Sequence, residues 1–466
     1  MSEPTVPTSR MASDSAQTNS IRYVQDLPLS GRHWYIVLVS SMEQIIGATL
    51  STVVGIIIPM LNMLLHPELS ATVQGLMGAT GLVGIALGSA VIGPLGDREG
   101  YLWWFRLCAI LIIIGCLAAS IAPNPVVICC GLLIAGFGLG GGYTLDSEYI
   151  SELMPDKWRS FMVGVAKASC SLGFLLPAVF AVVMLRIDPS PEVWRYTLWF
   201  TAGLGLITLL MRIRWTDSPG WLMAKGRFLQ AQDAAKSFFG KNVGYRRPTV
   251  NVGSGAKSDF ASLFKGRNLL RIIYSGIPWA CEGLGVYGIG VFLPVLIMAL
   301  GIDNSSAEGI TKIIHSVELT AVINFCIIPG FVIGLLIVDR MNHATMLWTG
   351  FVGAAFGMAL LLMAHLLHWP VWVSIGSFML FEIMLNAGPH LVTYIIPTVI
   401  YPVSDRGAGA GIASFLGKIG AIVGVFFMPM LLKAGGMTLV IIVTISAMLA
   451  GAIISIIFSR LLGLNK

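Results

Sequence analysis

Apolar runs of 18 or more residues recur from one end of the chain to the other, separated by short polar breaks. A run of that length crosses a hydrocarbon layer of ~30 Å as an α-helix. The pattern predicts twelve spans, at residues 34–61, 73–95, 104–122, 126–150, 160–185, 194–213, 271–300, 311–338, 346–367, 370–397, 407–432 and 437–460. The expected class is an all-α polytopic membrane protein. Residues 1–30 are Ser/Thr-rich without an apolar core, and read as a disordered tail and not as a signal peptide. Residues 214–270 read as a linker between two groups of six spans, 31–213 and 271–461, with "AAKSFFG" closing a short helix in the linker and 462–466 as a short tail.

Composition agrees: of 466 residues 56% are hydrophobic and 11% charged, where a soluble domain carries about 25% charged residues. The seven cysteines all lie in apolar runs without metal-ligand spacing, and read as small packed side chains. Twelve Lys/Arg fall between Arg212 and Arg271, against Asp217, Asp233 and Asp259. Arg98, Lys157, Arg159, Arg340 and Arg406 fall in breaks on the same side, and the opposite breaks carry only Arg186, Arg195, Lys312 and Lys433. The positive-inside rule then makes the linker and both termini cytoplasmic, in a plasma membrane or a bacterial inner membrane. The net charge of +6 follows from this bias, and no nucleic-acid partner is expected.

The two halves echo each other. Asp97-Arg98 in "GPLGDREG" recurs as Asp339-Arg340 in "GLLIVDRMN", 242 residues on, and Pro155 with Arg159 recurs as Pro402 with Arg406, 247 residues on. Two marks at nearly one offset imply a six-plus-six duplication, an arrangement common in transporters, whose solute site lies at the midplane between repeats. The G-x-L-x-D-R-x-G mark at Gly93, Leu95, Asp97, Arg98 and Gly100 resembles that of the major facilitator superfamily, although Tyr101 and Leu102 stand where the family continues with basic residues. "TDSPGWLMAKGRFLQAQDA" (216–234) is similar to the S-P-x-W-L element of its sugar-porter, organic-ion and metabolite–proton symporter branches, with Gly220 in place of the common Arg. "GFGLGGGYTLDSEYISELMPDKWRS" (136–160), with Ser151 and Glu152, resembles helix 4 of those branches, and Val399 matches Glu152 in the second half. The resemblance implies two pseudo-symmetric six-helix bundles. It also implies that Gly93, Asp97, Arg98, Glu148, Glu152, Arg159, Asp339, Arg340 and Arg406 act at a cytoplasmic gate whose charge contacts break when that side opens.

Ionisable residues inside spans cost roughly 2.5–3.5 kcal/mol each on insertion scales, so they are read as functional. Glu43 and Glu282 lie 239 residues apart, near the repeat offset, and are expected to face one central cavity as proton carriers. Asp146 is the deeper of two acids in span 4 and is the candidate for solute or proton binding, with Glu148 pairing toward Arg159. Lys167 in span 5 is expected to pair with Asp146 or Glu148, or to hold an anionic solute, and Lys418 plays a similar part in span 11. Glu382, Asn386 and His390 at i, i+4 and i+8 predict a polar stripe on one face of span 10. Gln44, Glu318 and Asn324 are weaker candidates, Asn324 as an interhelical hydrogen bond. Trp279, Tyr287 and Tyr394 are low candidates for stacking.

No phosphate-binding Gly-Lys-Ser/Thr loop, nucleophile–base pair or metal-ligand cluster stands out, so no catalytic residue, metal or cofactor is expected. The expected function is secondary active transport of a small polar organic solute (a sugar, organic acid or other organic ion) by a monomer, through alternating access and proton-coupled symport, driven by a proton gradient. A facilitator, a proton-coupled exporter or a non-transporting receptor are the alternatives.

Overall fold

A computed structural model describes residues 22–155, 157–213, 215–240, 242–246, 264–301, 309–401 and 406–464. All twelve expected spans are helical. Spans 1 to 4 are Gly31–Leu64, Ala71–Glu99, Tyr101–Ser120 and Pro125–Leu153. Span 5 joins Arg159–Ala168 to Cys170–Ile187, and span 6 is Trp194–Met211. Span 7 joins Gly266–Gly283 to Gly290–Ala299 through a π-helical turn, Leu284–Ile289. Span 8 joins Ile310–Phe325 to Ile327–Ile337, span 9 is His343–Leu366, and span 10 joins Val371–Ala387 to Pro389–Ile400. Spans 11 and 12 form one helical run, Arg406–Leu462, broken at Gly435 and Gly436.

In hydrocarbon every backbone N–H and C=O must pair inside its own segment, which is why apolar runs of this length become helices. Side chains such as Trp103, Ile114, Ile121 and Trp372 remain exposed on the outside of the bundle, which suits lipid. The linker, the start of span 1 and the ends of spans 2, 4 and 6 share one side, the linker side. On the far side the halves are tied by the Arg186–Glu318 ion pair, and deeper by Asn324, whose amide donates to the Phe174 carbonyl at 2.9 Å.

Three expectations change. Within the expected tail, Arg22–Tyr23 pairs in parallel with Val243–Gly244 of the linker, a two-residue pairing in an otherwise nearly all-helical chain, and Val24 is fully buried. Arg246 ion-pairs with Asp26 and lies over the Tyr23 ring, holding this strap. The linker carries the expected helix that ends in "AAKSFFG", Phe228–Phe239, and a second one that was not expected, Pro219–Ala224, both packed on the first six spans.

The third change concerns the break after span 2. The helix runs on through Gly93 and Arg98 to Glu99, and a single residue turns the chain. Gly100 has φ 105°, a conformation that a side chain would strain. Span 3 begins at once, and its first amides, Tyr101 and Leu102 N–H, both donate to Asp217 Oδ1 at 2.9 Å. Asp217 thus caps span 3 from outside it, satisfying donors that a helix start leaves orphaned and placing a negative charge at the positive dipole end. Asp217→Ala is expected to cost about 1–2 kcal/mol, read as a lower melting temperature in detergent. Asp217→Asn, which keeps one acceptor oxygen, is expected to lose less.

Candidate functional site

Two clusters of ionisable side chains lie within the spans. The first is built on an arginine that the sequence pattern puts at the very end of span 6 and counts only toward the charge bias. Arg212 directly follows span 6. The carbonyls around it are already taken: Tyr35 donates to Met211 O at 2.9 Å, and Arg106 to Ile213 O at 3.2 Å. Its own side chain turns inward and is fully buried. Nη1 donates to Glu43 Oε1 at 2.9 Å, and Nη2 to Asp146 Oδ1 and Oδ2 at 2.7 and 2.6 Å. The guanidinium lies 4.3 Å from the Phe105 ring centre and 5.4 Å from that of Trp215, where cation–π attraction adds about 0.5–2 kcal/mol.

This placement corrects two expectations. Asp146 takes Arg212 and not Lys167, and Glu43 sits inside the first bundle and not beside Glu282. Spans 1, 4 and 6 supply the whole cluster. The signal for it was that an arginine one residue past an apolar run lies within reach of the membrane interior. Among the described residues Glu43 Oε2 accepts no hydrogen bond. Two carboxylates share one guanidinium, so the cluster lacks one positive charge.

The second cluster lies between the bundles. Lys167 Nζ is 3.4 Å from the Tyr143 hydroxyl and 5.9 Å from the ring centres of both Tyr143 and Tyr394. Lys418 Nζ is 5.1 Å from the Tyr143 ring centre and 5.8 Å from that of Tyr287. Tyr394 meets Tyr143 edge to face on one side and Trp279 on the other. Trp279, Tyr287 and Tyr394 therefore belong to this cluster, and Tyr143, which no sequence signal singled out, is its centre. Among the described residues neither ammonium has a carboxylate within 4.0 Å. Both lysine charges act on Glu282, whose Oε1 lies 3.6 Å from His390 Nδ1.

The expected stripe on span 10 does not stay on one face. Gly388 interrupts the helix with φ −116° and ψ −92°. Asn386 before the break donates to Glu382 Oε2 at 3.0 Å, whereas His390 after it turns to Glu282. The π turn in span 7, the break at Ser169 and this one all lie beside the cluster, as expected where discontinuous helices build a midplane site. Gln44 is buried on span 1 with no side-chain hydrogen bond among the described residues.

The gate residues divide. Glu152 accepts from Ser218 Oγ and from the Trp221 N–H at 3.1 Å, joining the end of span 4 to the N-terminus of the Pro219–Ala224 helix. A Cβ on Gly220 would lie 2.3 Å from its carboxylate, which accounts for a glycine where the resemblance expects Arg. Tyr101 is buried against Phe105, Tyr149 and Trp221, so ring packing and the Asp217 cap stand where basic side chains were expected. Arg159 opens span 5. Arg98, Asp339 and Arg340 are exposed on the linker side. The side chains of Asp97, Glu148 and Arg406 lie outside the described residues.

The sequence model of the family described as "Sugar (and other) transporter" matches residues 17–460. The inner membrane metabolite transport protein YgcS of Escherichia coli is 24% identical over 94% of this chain and 93% of its own length. The metabolite transport protein YaaU of the same organism is 22% identical over 94% of each. The xylose transporter XylE of E. coli, in a partially occluded inward open conformation, superposes with a TM-score of 0.75 over 91% of this chain and 97% of XylE, at 19% identity.

Proposed function

From a chain that belongs to the Sugar (and other) transporter family, with the major facilitator fold, and is a multi-pass membrane transporter and not an enzyme, we propose proton-coupled symport of a small polar organic solute. The carrying observation is the charge count of the first cluster. Glu43 and Asp146 face one buried guanidinium, and among the described residues Glu43 Oε2 is unbonded. One added proton makes the cluster neutral, and its loss leaves a buried negative charge that low dielectric makes costly. A proton is thereby worth binding and worth releasing as access changes.

The solute site is the second cluster, to which spans 4 and 5 of one half and spans 7, 10 and 11 of the other contribute. Rocking of the halves about it would expose it to each side in turn. Glu282 and His390 join the protonation chemistry there. With Arg212 turned into the membrane and Arg271 in span 7, ten of the twelve basic residues of 212–271 still lie in the 214–270 linker, and the positive-inside rule supports a cytoplasmic linker side with cytoplasmic termini. The Asp97-Arg98 and Asp339-Arg340 marks are the gate ties on that side. One chain supplies the whole site, so a monomer suffices.

Glu43→Gln tests this without unbalancing the fold, because it leaves Arg212 with Asp146 as a neutral pair. In proteoliposomes the variant is expected to exchange solute across the membrane but to lose accumulation driven by a pH gradient. The solute is chosen by a thermal-shift screen of sugars, carboxylates and amines. Concentrative uptake that survives Glu43→Gln combined with Glu282→Gln would sink the symport reading.

A further inference from the structure

We propose that the solute is a small aromatic monocarboxylate, with its carboxylate between the Lys167 and Lys418 ammonium groups and its ring among Tyr143, Tyr287 and Tyr394. This rests on the second cluster being the solute site.

Two cations are brought to one place without a matching anion. Lys167 and Lys418 approach the same Tyr143 ring, at 5.9 and 5.1 Å from its centre, and each also lies over a second tyrosine. Like charges so placed repel in a medium of low dielectric, and aromatic faces recover only part of the lost hydration. Glu282 is the described carboxylate that acts on both, and it lies beside His390 instead of on either lysine. A carboxylate between the ammonium groups would relieve the repulsion. Counting His390 as neutral, one monoanion balances the two lysines while Glu282 is ionised, and a dianion does so only with Glu282 protonated.

The lining argues for the rest of the molecule. A sugar needs donors and acceptors around its whole rim. The amide N–H groups nearby are committed, Asn324 to the Phe174 carbonyl and Asn386 to Glu382, which leaves Asn386 Oδ1 as the amide atom without a partner among the described residues. What remains around the lysines is rings: Tyr143, Tyr287 and Tyr394, with Trp279 edge-on to Tyr394. Flat apolar faces of this kind stack on a flat apolar ring. Inorganic phosphate has no flat apolar face to set against these rings. The fully buried arginine among the described residues, Arg212, is occupied by Glu43 and Asp146.

Benzoate, acetate, glucose and inorganic phosphate serve as probes of the purified full chain. Millimolar benzoate is expected to raise the melting temperature and to support counterflow in proteoliposomes. Lys167→Gln and Lys418→Gln are each expected to weaken benzoate roughly 10- to 100-fold, the loss of one charged hydrogen bond. Lys→Arg at either position should retain most binding, which separates lost charge from misfolding. Tyr143→Leu should weaken benzoate more than acetate. Stabilisation by glucose or phosphate but not benzoate, no shift with benzoate, or benzoate binding indifferent to both Lys→Gln changes would overturn the assignment. Benzoate counterflow without proton movement would leave it standing and remove the symport reading. Glucose moving with protons would do the reverse.

Discussion

Arg212→Ala is expected to be the most damaging single substitution in this protein. It removes the one cation from a cluster in which Glu43 and Asp146 are otherwise enclosed. Breaking a buried ion pair from one side destabilises by about 3–5 kcal/mol, because the partner charge is left without compensation. Here two partners are left, so the upper end of that range applies. The measurement is the fraction of monodisperse protein that survives heating in detergent. Arg212→Lys should fall between, since an ammonium is a point charge that cannot span both carboxylates with a planar fork. The triple change Glu43→Gln, Asp146→Asn, Arg212→Met should restore most of the lost stability, because it removes the charges together. It should still lack proton-driven accumulation. An Arg212→Ala protein as heat-stable as the parent would show that Glu43 and Asp146 do not depend on this buried arginine.

Gly55→Val is expected to reduce transport by roughly 5- to 150-fold while leaving the protein folded. A Cβ at Gly55 would lie 1.7 Å from the Val291 carbonyl oxygen, where span 1 crosses span 7 on the far side. That atom is backbone and has no rotamer with which to yield. A transport cycle that parts spans 1 and 7 on the far side would relieve the overlap, so its cost is expected to fall on the state with that side closed. Overpacking of about 1–3 kcal/mol, placed on one of two states, shifts their balance by that factor. Hydrogen exchange should show the far ends of spans 1 and 7 losing protection relative to the parent. Gly75, whose Cβ would lie 2.1 Å from Phe426 O, should behave alike where span 2 meets span 11. Unchanged uptake in Gly55→Val would mean that the halves do not need this closure.

Glu43, Asp146, Lys167 and Glu282 stand out in the sequence because each is an ionisable residue deep in an apolar run. Their partners do not stand out. Glu43 and Glu282 occupy matching positions in the repeat, yet one binds Arg212 within its own half and the other faces His390 between the halves. The repeat preserves where a residue sits on its helix and not what stands opposite. The i, i+4, i+8 reading of span 10 assumed an unbroken helix, and Gly388 turns His390 away from Glu382. Tyr143, Asp217 and Arg212 were missed for one reason. A tyrosine in a span, an aspartate in a linker and an arginine at a helix end are each unremarkable in one dimension, and each becomes a hub only through contacts 66 to 169 residues away for Arg212 and 115 to 116 for Asp217.

The amino-acid sequence by itself determined that this chain spans a membrane twelve times, that it is duplicated, and which of its residues are too polar to lie in lipid without purpose. Those properties follow from hydrophobicity and helical period, which act within one segment. Only the tertiary structure decided which charge meets which: that one arginine serves two acids, that two lysines share a cage of tyrosines, and that Gly100 alone turns the chain between spans 2 and 3. Pairing depends on which faces of separate helices are pressed together, and no local pattern carries that information.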